Sequence, residues 1–426
     1  MVGFSRVALG NGIYGNGVGA ESMAMAGAEV AWSKDPLTAM TANPAGLGFL
    51  NKPEAVLGAE GDALSGTFSK TGSGGPLTDR FIAAPEGAIG YPLKGIPLKL
   101  GLSVAPESGL VADWHYQDPP GGLGGIQYGN QEDKSSIILI RTAFGAAWTV
   151  TPKLSIGASI GLLYNENDMV TPYVFQNLQP ASVNGAKTLL NLHTTGFGGD
   201  GTVGMIYKAT PALQFGAFYQ SPSVINSSGD ATGDPYAQFP PTPPGPLAFH
   251  YNAEVKNQFP QNASLGLSWQ CLSRLRLAVQ LDWIDWADSF NTLHASFSSG
   301  DNPSVNKVLG SSFRDNIPLN WSSSLVYRAG IEFAVTDHFK LMMGYAYGKS
   351  PVPDSTLSPM TAAISENTLC AGMGYSRGAY FVDLAYQYDL PASQTVGQSG
   401  LLSGEYSNSS VQISAQALAL SLGMTF

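Results

Sequence analysis

Along much of the chain apolar and polar or small side chains alternate one for one, the period of a β-strand whose two faces meet different surroundings. From Leu154 the set Leu154, Ile156, Ala158, Ile160, Leu162 and Tyr164 alternates with Ser155, Gly157, Ser159 and Gly161. Leu275, Leu277, Val279, Leu281 and Trp283 alternate with Arg276, Gln280 and Asp282, and Leu325, Tyr327, Ala329, Ile331 and Phe333 with Arg328, Gly330 and Glu332. The stretches Phe339 to Tyr347 and Tyr380 to Tyr388 repeat the pattern, with Lys340 and Asp383 again on the polar face. Charges confined to one face of so many strands point to a wall with oil on one side.

The connections sharpen this into a topology. Very short turns are expected near Thr151-Pro152, Ala209-Thr210, Leu272-Ser273, Thr336-Asp337 and Arg377-Gly378. Long polar or Pro-rich stretches lie between them, over 110–135, 169–188, 226–247, 292–320, 350–363 and 391–409. Short and long connections in strict alternation predict a transmembrane β-barrel with periplasmic turns and extracellular loops. With less regular strands near 53–64, 82–93 and 97–109, the pattern gives fourteen antiparallel strands. The last ends Leu418, Leu420, Leu422, Met424, Phe426 and resembles the C-terminal signature read by the barrel-assembly machinery of the outer membrane.

Composition supports a membrane wall. Of 426 residues only 12% are charged although 44% are hydrophobic, and the longest aliphatic run, Ile137 to Ile140, is far too short for a membrane helix. A net charge of −10 without clustered Lys or Arg excludes a nucleic-acid partner. The chain opens Met-Val-Gly-Phe-Ser-Arg without the apolar core of a secretory signal, and is read as a mature form. Cys271 and Cys370 fall on opposite phases of their strands, which argues against a disulfide.

Residues 1–50 do not alternate and form a separate unit ahead of a barrel over 51–426. They are rich in Gly and Ala. Asp35-Pro36 reads as an N-cap and first helical residue, and the helix must end before Asn43, which precedes Pro44. Low charge favours a plug folded inside the barrel over an exposed adapter.

These residues resemble the FadL/TodX family of outer-membrane transporters of long-chain fatty acids and other hydrophobic compounds. The resemblance rests on Gly3-Phe4, on Asp35-Pro36 leading to Asn43-Pro44-Ala45-Gly46-Leu47, and on Ala105-Pro106-Glu107-Ser108-Gly109-Leu110 as a kinked third strand. Leu281 to Phe290 looks like the ninth strand of that family, and Ser350-Pro351-Val352-Pro353-Asp354 like the loop after the eleventh. What it implies is a fourteen-stranded barrel plugged by an N-terminal hatch. Extracellular loops would capture the ligand, an internal apolar pocket would hold it, and it would leave sideways at the kink. In the family the N-terminus occupies the pocket, which would give Phe4 a gating role. Pro106 cannot donate to a sheet ladder and Gly109 weakens pairing, so a wall opening there is cheap. Val174, Phe175 and Phe239, apolar residues on expected loops, are candidates for a capture groove or for packing over the barrel mouth.

Other chemistry finds little support. Gly10 to Gly15 fits G-x-G-x-x-G but has no preceding strand, and the five histidines show no metal-ligand spacing. No nucleophile motif is present, so the chain is read as a non-enzyme without cofactor or metal, and as a monomer. Arg328, Glu332, Lys340 and Asp383 are expected to form ion pairs inside the barrel. The expected function is passive uptake of hydrophobic molecules such as fatty acids or hydrocarbons. A general diffusion porin for polar solutes is the alternative, and a lipid-modifying enzyme a third.

Overall fold

A computed structural model describes residues 12–78, 81–118, 128–176, 184–235 and 247–426. Fourteen antiparallel strands build the wall: β1 (Glu54–Lys70), β2 (Phe81–Pro92), β3 (Leu98–Gln117), β4 (Asn130–Thr151), β5 (Leu154–Val174) and β6 (Lys187–Lys208). β7 runs Leu213–Gln220 and resumes Ser223–Gly233 after Pro222, and β8 runs Phe249–Phe259 and resumes Asn262–Leu272 after Pro260. A proline cannot serve the ladder, so both strands pause there. β9 (Leu275–Ile284), β10 (Ser324–Ala334), β11 (Phe339–Gly348), β12 (Asn367–Arg377), β13 (Tyr380–Val396) and β14 (Ser409–Thr425) complete the wall. β14 pairs with β1 from Glu54↔Thr425 to Lys70↔Ser409, which closes the sheet into a barrel.

The alternation read from sequence sorts as expected. Ile160, Leu162, Leu265, Met343 and Leu418 stand exposed on the outside, and their neighbours Ser159, Ser264, Met342 and Ala417 are buried inside. Exposed aromatics cap this apolar band, with Trp148, Tyr207, Trp269 and Tyr375 at the turn end and Phe197, Trp283 and Tyr327 nearer the loops.

Several strands run farther than the sequence pattern suggests. β4 has 22 residues, roughly 70 Å at ~3.3 Å per residue, against the roughly 25 Å apolar band of such barrels. The stretches 110–135, 169–188 and 226–247 are therefore partly strand, and Val174 ends β5 instead of lying in a loop. Above the bilayer both faces of a strand can be polar, so alternation no longer marks it. The stretch 292–320 also holds regular structure: strands Thr292–Ser298 and Phe313–Pro318 form a hairpin whose first strand pairs along the upper part of β8. The likeness to a ninth strand through Phe290 is corrected as well, because β9 stops at Ile284 and 286–289 turn into a short helix. Phe4 and Phe239 lie outside the described residues.

Ahead of the wall come α1 (Ala20–Ala24), α2 (Pro36–Ala42) and a 3₁₀ helix (Pro44–Phe49). They pack against the inner faces of the strands, and α1 and α2 are almost fully buried there. Inner-face glycines make room. A Cβ on Gly157 would run into the backbone of Pro44 and Ala45, and one on Gly216 into Val30.

Candidate functional site

The N-terminal segment is fixed to the wall by its caps and by charge. Asp35 accepts from Leu37 N at 2.8 Å and Thr38 N at 3.1 Å, with Pro36 at the first helical position, as the sequence suggested. Asn43, fully buried and extended at φ −165°, ends α2 and caps the 3₁₀ helix by accepting from Ala45 N at 3.1 Å. Its amide donates to Val30 O at 2.7 Å and to Met205 O and Ala217 O at 3.2 Å, tying the segment to β6 and β7. Ser155 Oγ donates to Ala45 O at 2.7 Å, so Asn43, Pro44 and Ala45 sit together at this anchor. They line none of the cavities described below.

Charged side chains join the segment to the wall on its other side. Glu21 meets Lys34 at 2.8 Å and Lys340 at 2.5 Å, and Lys34 meets Glu332 at 2.8 Å. Arg276 pairs with Glu332 at 2.7 Å, Lys340 with Asp383 at 3.2 Å, and Arg328 with Asp282 at 2.5 Å. Arg328 also donates to Asn16 Oδ1 and Ala26 O, each at 2.8 Å. The lumen charges singled out from sequence thus form ion pairs. Sequence alone had no means of naming their partners on α1 and beyond it.

The kinked strand interrupts the wall. β2 and β3 are paired only from Gly87↔Val104 to Pro92↔Lys99, although β2 continues upward along β1 as far as Ala63↔Phe81. The ladder between β3 and β4 slips at Pro106/Ser108, where Glu107 is the extra residue. This bulge reverses which residues of β3 face inward. Contact between β3 and the β1–β2 connection resumes at Leu77↔Trp114 and Thr78 N to Asp113 O, and continues upward to Ser73 Oγ, which donates to Gln117 O. Between these two levels the described part of β3 has no ladder partner on the β2 side.

The N-terminal segment fills this gap from within. Tyr14 bridges to Ser108, and Gly109 N donates to Ile13 O at 3.3 Å. Gly12, at φ 72°, lies so close to Trp286 that a Cβ would come within 2.5 Å of the ring. Pro106 and Gly109 therefore flank a contact between the kink and the chain start. Below it a polar cavity of about 130 Å³ is bordered by Tyr14, Glu107, Gln220, Gln280 and Arg328.

Above it the lumen turns apolar. Trp286, Phe290 and Trp321 cluster, with ring centroids 5.2 Å apart for Trp286–Phe290 and 4.6 Å for the stacked Phe290–Trp321. Leu110, Ile137, Met169, Phe259 and Leu319 complete a small apolar pocket with Phe290 and Trp321. Its neighbours Asn165, Asn167, Ser227 and Asn257 satisfy one another: Asn165 Oδ1 accepts from Ser227 Oγ at 2.7 Å and from Asn257 Nδ2 at 2.9 Å. Trp321 and Phe290 escaped the sequence reading. The available signal was Phe259, an aromatic on the lumen phase of β8 where a water-filled channel would carry polar groups.

Loops close the top. Residues 351–352, 356–360 and 362–365 are buried, and Trp114 Nε1 donates to Pro359 O at 2.9 Å. Asp133 accepts from Tyr406 at 2.7 Å and Tyr116 at 2.9 Å. Burial and the Asp133 carboxylate push the Tyr406 phenol well above its usual pKa, so it remains a donor. Val174 and Phe175 are buried at this rim, with Phe175 against Tyr173 at 5.7 Å, and line none of the described cavities.

A family model described as "Outer membrane protein transport protein (OMPP1/FadL/TodX)" matches residues 1–426. Among solved structures the chain is similar to a Pseudomonas aeruginosa FadL homologue, with 17% identity over 97% of this chain and 100% of that one and a TM-score of 0.76. It is similar to the P. putida toluene transporter TodX at 19% identity, covering 96% and 99% with a TM-score of 0.77. The Ralstonia pickettii toluene transporter TbuX gives 20% identity, 96% and 99% coverage and a TM-score of 0.73. At such identities these neighbours establish the fold. None of the curated proteins matches the chain.

Proposed function

The chain belongs to the outer membrane protein transport family OMPP1/FadL/TodX, and from that premise we propose that it is a passive channel for hydrophobic molecules with a sideways exit through its wall. Residues 1–50 act as a plug. Ligand enters through the extracellular loops, rests in the pocket at Phe290 and Trp321, and leaves between β2 and β3 once residues 12–14 move off Ser108 and Gly109. The observation that carries this reading is the unpaired stretch of β3, with Ile13 and Tyr14 laid across it. Delivery into the bilayer avoids returning an apolar molecule to water, which is the favourable route for any ligand of low solubility.

Within that class the interior favours a neutral hydrocarbon over a fatty-acid anion. The four cations buried among the described residues already face carboxylates: Arg141 with Asp200 at 2.9 Å, Lys187 with Asp118 at 2.5 Å, Arg276 with Glu332 and Arg328 with Asp282. A buried carboxylate without a partner is strongly disfavoured. Two proteins of the same fold are toluene transporters by description, in keeping with that preference.

The test is uptake by cells whose own channels for hydrophobic compounds have been deleted, supplied with radiolabelled toluene or oleate at low concentration. Expression of this protein should raise toluene uptake several-fold and oleate uptake less. No gain with either compound would overturn the transport reading, and a larger gain with oleate would overturn the preference for neutral cargo.

A further inference from the structure

The five histidines are scattered in sequence, yet the fold places His115, His193 and His250 on the outer face of the wall above its apolar band, and His294 on the hairpin strand beside β8. Each meets an acid or an amide: Asp113 at 3.0 Å, Asp168 at 2.5 Å, Asp230 at 2.7 Å and Asn316 at 2.6 Å. At two of these places a second carboxylate closes in, and these carry the inference.

On β5 and β6, Asp168 stands directly opposite His193, and Glu166 lies two residues along the same face. On β3 and β4, His115 stands opposite Glu132, and Asp113 lies two residues along the same face. In each trio one ligand atom from every residue falls within 4.8 Å of the others. The two trios share one geometry: a cross-strand pair of imidazole and carboxylate, with a second carboxylate at the next position on that face. Tetrahedral zinc with bonds of about 2.1 Å holds its ligands about 3.4 Å apart, so the ligand atoms of each trio, already within 4.8 Å of one another, have only a short way to close. Glu166 also has an outer partner of the kind that orients metal ligands, since Tyr164 Oη donates to its Oε2 at 2.9 Å. Tyr164 in turn lies against Phe197, with centroids 5.3 Å apart, at the top of the apolar band, so this trio faces water and lipid headgroups.

We propose that Glu166–Asp168–His193 and Asp113–His115–Glu132 are binding sites for zinc or a similar borderline divalent metal, each clamping two neighbouring strands outside the bilayer. Imidazole selects such metals over magnesium or calcium, and three protein ligands leave one position for water. The second site tops the stretch of β3 that lacks a ladder partner on the β2 side, so metal there would hold the upper edge of that gap against β4.

The experiment titrates untagged, EDTA-treated full-length protein in detergent with zinc chloride by calorimetry, with millimolar magnesium present. Two zinc ions per chain are expected. His193→Ala should remove one, His115→Ala the other, and the double variant both, while all migrate as intact barrels on unheated gels. No saturable binding, or an unchanged count in the double variant, would overturn the proposal. Loss of bound zinc in only one single variant would overturn the site that did not respond. Displacement by magnesium would overturn the metal class.

Discussion

Replacing Asn43 by Ala should release the N-terminal segment without unfolding the barrel. The side chain makes one bond to Val30 O at 2.7 Å, shares its second N–H between Met205 O and Ala217 O at 3.2 Å, and caps Ala45 N at 3.1 Å. At about 1 kcal/mol net for each of these three interactions, the loss is about 3 kcal/mol, within a range of about 2–4 kcal/mol. One power of ten per ~1.4 kcal/mol then raises the released population roughly 100-fold, and roughly 30- to 1000-fold across the range. The β1–β14 closure and the wall ladders do not involve Asn43, so the barrel itself should be spared. Hydrogen exchange in detergent-solubilised protein reads the effect directly, because amides of residues 30–47 exchange at a rate set by local opening. Planar-bilayer recording gives a second readout, as an unplugged lumen conducts ions. Exchange within twofold of wild type, with unchanged conductance, would refute the assignment of Asn43 as the anchor. Asn43→Asp keeps the acceptor for Ala45 but sets a carboxylate against three carbonyl oxygens, and should behave no better than Ala.

Other substitutions probe other parts of the account. Gly12→Ala adds a Cβ within 2.5 Å of Trp286 at a backbone φ of 72°, with a backbone cost of about 1–2 kcal/mol; residues 12–14 should leave the kink, and faster exchange at Gly109 N–H would show it. Trp321→Ala removes a wall of the apolar pocket and should weaken binding of an aromatic ligand by at least tenfold, from roughly 1.5–3 kcal/mol of lost contact, measured by fluorescent-ligand displacement. Tyr406→Phe takes one of two phenol donors from buried Asp133 and should raise proteolysis of the extracellular loops several-fold, while Tyr116→Phe does the same from the other side.

What the sequence reveals follows from where the physics is local. Asp35-Pro36 and Asn43-Pro44 are backbone rules written in adjacent residues, and α2 is capped at Asp35 and stops before Asn43 as read. Strands inside the bilayer are equally plain, because oil on one side forces Ile160, Leu162 and Leu265 outward. The same strands fade from view once they leave the membrane. Asn165 and Asn167 face in while Glu166 and Asp168 face out, so no contrast remains to mark β5. The pocket is hidden for another reason. Phe259, Phe290 and Trp321 come from a wall strand and from the β9–β10 connection, and only closure of the sheet brings them together. Lys34 and Glu332 likewise pair across nearly 300 residues. Pro106 and Gly109 announced both the kink and a weak wall there, but neither the extent of the gap nor what fills it. Pairing between β2 and β3 stops at Gly87↔Val104, and residues 13–14 occupy the space.

On the proposed mechanism, cargo leaves through that space. Deleting Glu107 removes the extra residue of the bulge and lets Pro106 and Ser108 follow one another in register along Ile140 and Leu139 of β4. This straightens β3 and favours continuous pairing with β2. Toluene uptake by cells producing the deletion variant should fall at least tenfold, with unchanged amounts of folded barrel in the outer membrane. Uptake at the wild-type rate from a folded variant would contradict a lateral exit between β2 and β3.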